Sequence, residues 1–200
     1  MNTAYTRVDT RDFARLEKTT DPIVKEGKEA TTEYIENTVD IKATDLEMIL
    51  RNTLEDVLTE IKQWFKDIYD FHNEDLRNFP ALDQLIYHKD GWTLKSAIQT
   101  HLESYNKWRK KADFINALNR ILELESERLR NTVFDSLNEK TERFAYVTIS
   151  GDRCCDIDTG ICSPHYGTYE VKKHNYDLPP YHWECHCYVV YHDNPDLEVN

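Results

Sequence analysis

Two hundred residues with 40% apolar and 31% charged content suit one compact domain or two small ones, and are too apolar for a wholly disordered chain. The formal net charge of −12 argues against a protein that coats bare nucleic acid with a basic face, because that affinity comes from neutralising phosphates. Five glycines and six prolines favour helices over a many-turned β-sandwich.

Residues 1–42 are rich in Thr, Glu, Lys and Asp and poor in large apolar side chains. That predicts an extended or weakly structured arm with a short helix over 11–18. The opening residues lack the apolar core of a secretory signal, and no stretch approaches the roughly 20 apolar residues of a membrane helix. The expectation is a protein made and kept in a cytosol, without a membrane partner. In a reducing compartment its five cysteines are expected as metal ligands, catalytic groups or buried thiols rather than disulfides.

At Thr44 the pattern changes. Thr44-Asp45-Leu46-Glu47 reads as a capping box, the threonine hydroxyl accepting from the Glu47 N–H. Leu46, Leu50, Leu54, Val57, Leu58, Ile61, Phe65 and Ile68 then recur at helical spacing, predicting a helix over about 45–75. Pro80 and Asp90-Gly91 predict a break holding a short helix. A second helical region follows over about 93–143, with a stripe of Leu118, Leu122, Leu129, Val133 and Leu137. There "ESERLRN" and "NEKTER" supply the polar side, and a break near Lys110-Lys111 is allowed for. Residues 43–143 thus form a helical region whose stripes must pack on each other or on a partner. Within it, Lys107-Trp108-Arg109-Lys110-Lys111 runs against the acidic balance. Such a cluster can meet phosphate and stack on a base, although the plainer explanation is a solvated helix face.

Beyond Arg143 the composition turns to β-branched and aromatic residues. "FAYVTIS" and "CYVVYH" read as strands and "YEVKK" as a third, so 144–200 becomes a small β-containing module and the fold class α+β. All five cysteines and five of the eight histidines fall between Cys154 and His192. Structural zinc takes four Cys or His ligands, usually from two close pairs on separate loops. Cys154, Cys155, Cys162 and His165 offer one set, and His182, Cys185 and Cys187 the other. The plainer explanation is buried thiols with surface histidines.

Catalytic patterns are poorly served. His72-Asn73-Glu74 supplies the H-x-E of a zinc deaminase, but the later element is C-x-C without its proline. No H-E-x-x-H, phosphate-binding loop or G-x-S-x-G is present. Cys185 with His182 or His165 would give a nucleophilic pair, yet nothing positions an oxyanion hole.

The closing segment Leu178-Pro179-Pro180-Tyr181-His182-Trp183-Glu184-Cys185-His186-Cys187 resembles the C-terminal domain of the phage head morphogenesis family, minor head proteins related to the F protein of phage Mu. That family closes on Leu-Pro-Pro-x-His-x-x-Cys-x-Cys before a last strand. Here Glu184 stands where the family usually has Asn, and His186 where it has Arg. Its opening half fits two registers, Asp152…Cys155-x4-Gly160 or Asp158…Cys162-x4-Gly167 with Tyr169. The likeness covers about 143–192. It implies a minor structural or assembly protein of the phage head, not an enzyme. Implied partners are portal and capsid or scaffold proteins, with contact to packaged DNA; an oligomer is compatible. Implied locations are the capsid interior or portal vertex, and the host cytoplasm during assembly. The Cys/His residues, with zinc, would hold the fold together. The alternatives are a metal-dependent hydrolase or nuclease- or toxin-like enzyme using the same cluster, and a zinc-binding cytosolic adaptor.

Overall fold

The structure, a computed structural model, describes residues 10–69, 93–139, 144–149, 163–165, 167–173, 178, 179, 181, 185 and 187–192. These residues are mostly helical. Helices α1 (Thr10–Asn37), α2 (Ala43–Tyr69), α3 (Leu94–Trp108) and α4 (Lys111–Glu139) precede strands β1 (Phe144–Ile149), β2 (Gly167–Glu170) and β3 (Cys187–His192).

The first helix corrects the expectation of an arm. Leu16, Thr20, Val24, Gly27, Thr31 and Ile35 are all buried, and their spacing of three or four residues makes one helical face. Half of that face is threonine and glycine, so it escapes a search for large apolar residues. The threonines can be buried because each hydroxyl donates to a carbonyl one turn back: Thr20 to Leu16 at 2.9 Å and Thr31 to Gly27 at 2.7 Å. Gly27 permits close approach of α2, since a Cβ there would overlap the Thr53 side chain. Pro22 lies inside α1 on an exposed position.

A short connection folds α2 back on α1. Tyr34 clamps it, its hydroxyl donating to Asp45 Oδ2 at 2.7 Å and accepting from the Lys42 N–H at 3.2 Å. Helix α2 starts one residue before the expected cap, so Thr44 lies inside its first turn. The Thr44 hydroxyl meets Asp45 Oδ1, and Glu47 pairs with Arg51. The capping box forms instead at α3, where Thr93 and Ser96 exchange side-chain-to-backbone bonds. The second helical region divides at Arg109, which adopts a left-handed conformation (φ 56°).

The predicted stripes face inward. Leu46, Leu50, Leu54, Val57 and Ile61 of α2 join Leu118, Leu122, Leu129 and Val133 of α4 in a single core. Leu58 is half-buried. Helix α4 contacts α1, α2 and α3, and α2 contacts α1 and α3. Residue pairings fit helices that double back on their predecessors: Tyr34 meets Asp45 and Gly27 meets Thr53 across α1 and α2, and Tyr105 stacks on Phe114 across α3 and α4. The result is a four-helix bundle.

Strand β1 is central in a three-stranded antiparallel sheet, order β2-β1-β3. Phe144 sits opposite both Glu170 and His192, and Ile149 opposite Cys187. Of the segment expected as a third strand, Tyr169 and Glu170 are in β2, whereas Val171–Lys173 form a 3-10 turn. Val171 is fully buried and its turn packs on α4. The expected helix over 70–75, the break at Pro80 and Asp90-Gly91, and the His72-Asn73-Glu74 pattern lie outside the described residues.

Candidate functional site

The middle of α4 is apolar on several sides. Ile121, Leu122, Leu124, Leu129, Val133 and Phe134 are all buried, and polar residues are buried among them: Glu125, Ser126, Arg128, Arg130, Asn131 and Asp135. "ESERLRN" is therefore an interior seam, not the solvent side of the helix. Apolar residues at 121, 122, 124, 129, 133 and 134 cover more than one face of the helix, and that was the signal available in the sequence.

Three connections define the seam. Within it, Arg128 and Glu125 are a fully buried ion pair, Arg128 Nε donating to Glu125 Oε2 at 2.9 Å. Among the described residues, Glu125 Oε1, Arg128 Nη1, Ser126 Oγ and Arg130 Nε have no partner. Burial pushes the Glu125 carboxyl up while Arg128 opposes it. Toward α1, Arg130 Nη1 donates to Thr20 Oγ1 at 2.9 Å and Asp21 Oδ1 at 3.2 Å. Toward the β module, Asn131 Nδ2 donates to the Pro179 carbonyl at 2.9 Å, and the Tyr191 hydroxyl donates to Asp135 Oδ1 at 3.0 Å.

The closing motif is thereby seated on α4. Pro179, Tyr181, Cys185 and Cys187 are buried, the two thiols to within 3% and 1%. Cys185 lies close enough to α4 to influence Glu127. Burial pushes that carboxyl up to about 7; Arg130 opposes the shift and Cys185 adds to it. Glu127 also lines an open groove of about 800 Å³ between α1 and α4. The charges along it are largely paired: Glu123 bonds Lys28 and Arg120, and these outweigh the upward push of burial to hold its carboxyl below the usual range.

Of the seven residues expected to ligate metal, His165, Cys185 and Cys187 are described. Cys154, Cys155, Cys162 and His182 lie outside the described residues. The His165 ring stacks on Tyr181 (centroids 4.1 Å, 10° between planes), and its carbonyl accepts from the Tyr169 hydroxyl at 3.1 Å. Among the described residues no group of three or more His, Cys, Asp or Glu is placed to hold a metal ion. Cys185 and Cys187 supply soft thiolate donors two residues apart, the chemistry that zinc favours. Of the two glycines that fit the opening half of the motif, Gly160 is outside the described residues. Gly167 opens β2 at φ 142°, a conformation that L side chains rarely adopt.

The basic cluster lies at the opposite end of α4, at the α3–α4 elbow. Lys107, Trp108, Arg109, Lys110 and Lys111 are all exposed, and Lys110 pairs with Asp113 at 3.6 Å. No helix among the described residues is long and apolar enough to cross a membrane. Comparison with protein-family models, curated proteins and solved structures finds no match for this chain.

Proposed function

We propose that the protein is a minor structural or assembly component of a bacteriophage head, docking on the portal or inner capsid. Its C-terminal α+β module, on this reading, is fastened to the helical bundle rather than built for catalysis. The observation that carries the proposal is the segment "LPPYHWECHC", which combines its likeness to the minor head protein family with inward-facing residues. Pro179 gives its carbonyl to Asn131, and Tyr181, Cys185 and Cys187 are buried. Residues that hold a segment against a helix suit a fastening role; a catalytic cysteine sits in an accessible, electropositive place.

Zinc belongs to this proposal as a structural clip drawn from the Cys/His set, contributing folding energy. Elemental analysis should report about one zinc per chain, and metal-free folded protein would remove the clip. The assembly role is tested by co-expression with the portal protein encoded by the same genome. A complex that survives size-exclusion chromatography supports it. Substitution of Cys185 that leaves folding intact but abolishes a measured hydrolysis would replace it with the enzyme alternative.

A further inference from the structure

We infer that the α3–α4 elbow is a binding site for single-stranded nucleic acid, taking one unstacked base against Trp108 and the flanking phosphates on the surrounding cations. The inference stands on the elbow's own geometry and is independent of the head-assembly proposal.

Four observations combine there. Trp108, the last residue of α3, is 63% exposed, although a large aromatic side chain ordinarily gains from burial. Below it, Tyr105 and Phe114 stack across the α3–α4 turn with centroids 5.1 Å apart and planes 12° apart. A cleft of about 510 Å³ opens beside these rings, lined also by His101, Ser104, Lys110 and Asp113, the last two paired at 3.6 Å. That volume lies in the range of small-molecule pockets, and the lining offers ring faces with a hydroxyl and an imidazole at the side. Lastly, four cations occupy five consecutive positions: Lys107, Arg109, Lys110 and Lys111.

The turn itself presents these groups. Arg109 is the one described non-glycine residue with positive φ. A left-handed residue at a helix end is usually glycine, which avoids a Cβ penalty of about 1–2 kcal/mol. Here the position carries a guanidinium, held by the Arg109 N–H donating to the Tyr105 carbonyl at 2.7 Å. Its Cζ lies 5.7 Å from the Tyr105 ring centre, and Lys107 Nζ lies 4.8 Å from that of Trp108. Cations beside an exposed Trp108, with the half-buried Tyr105 behind them, are a combination that binds single strands: the exposed ring stacks on a base, which every nucleotide offers, and the cations meet the adjacent phosphates. On a chain of net charge −12, confinement of this chemistry to one elbow favours local capture of a strand over general coating.

Fluorescence anisotropy of the full chain with labelled oligothymidylate, across a salt series, tests the site. Binding at low salt is expected, and Trp108→Ala should weaken it roughly 5- to 150-fold, the effect of losing one stacked base. Trp108→Phe should retain most of the affinity. Combined Arg109→Gln and Lys110→Gln should reduce the slope of log affinity against log salt by about 0.7 per lost phosphate contact. All of these residues are exposed, so circular dichroism of each variant should match the parent. The inference is overturned by absence of binding at low salt or by unchanged affinity in Trp108→Ala. Equal binding of duplex DNA, or equal competition by polyglutamate, also overturns it, since either would mean attraction by charge without a base.

Discussion

Glu127 makes stability depend on pH. Its carboxyl, ordinarily near 4.5, is pushed up to about 7 by burial. Between those values the folded state keeps a proton that the unfolded state has released, so stability falls as pH rises through that window. Above it the full penalty stands, about 3 kcal/mol for a shift of this size. Glu127→Gln removes the ionisation. Urea unfolding should find the variant more stable by about 1–3 kcal/mol near pH 8 and nearly equal to the parent near pH 4. The same difference at both values would contradict the assignment. Glu125 and Arg128 behave otherwise, because among the described residues each is the other's charged partner in the interior. Arg128→Met should destabilise by about 3–5 kcal/mol, while the double change with Glu125→Leu should recover much of that loss. Additive losses in the double-mutant cycle would show that the pair is not coupled. These residues were hard to find in the sequence because a charged stretch on a long helix is usually its solvated face; the Leu and Ile residues between them gave the contrary signal.

At the scale of elements, legibility followed side-chain size. The α2 stripe was evident because its buried positions are Leu, Val and Ile, and strands β1 and β3 because they concentrate β-branched and aromatic residues. Helix α1 was missed because threonine and glycine fill its inward face, where burial is acceptable only once the hydroxyls bond their own helix. The start of α2 was misplaced by one residue because Thr44 and Glu47 satisfy a capping pattern that Thr93 and Ser96 carry out at α3. The docking of the β module on α4 required knowing which helix face lies beneath the Pro-Pro segment. Asn131 makes that contact. Asn131→Ala leaves the buried Pro179 carbonyl without its donor, a loss of about 1–3 kcal/mol. Hydrogen exchange should then quicken over β3 more than over α2. Uniform acceleration across both would place Asn131 in the global core and not in the fastening of the module.

For the whole molecule, a helical bundle followed by a short sheet was readable from the change in residue type after Arg143, whereas the sheet order β2-β1-β3 was not, because long connections separate the strands. Among the seven expected ligands, the two described cysteines are buried, Cys185 near Glu127 of α4 and Cys187 in β3 opposite Ile149, and His165 meets Tyr181. Spacing alone had no means of giving those partners, because they come from elements distant in the chain. The bundle leaves α3 and its basic elbow at one end of α4 and the closing motif toward the other, so nucleic-acid capture and module fastening are separable by mutation. The central claim, membership of a phage head, is tested most directly by mass spectrometry of purified particles from the phage that encodes this chain. The account predicts the protein in intact heads at a few copies per particle, retained through gradient purification. Its absence from those heads, while it is abundant in the infected cell, would contradict the account.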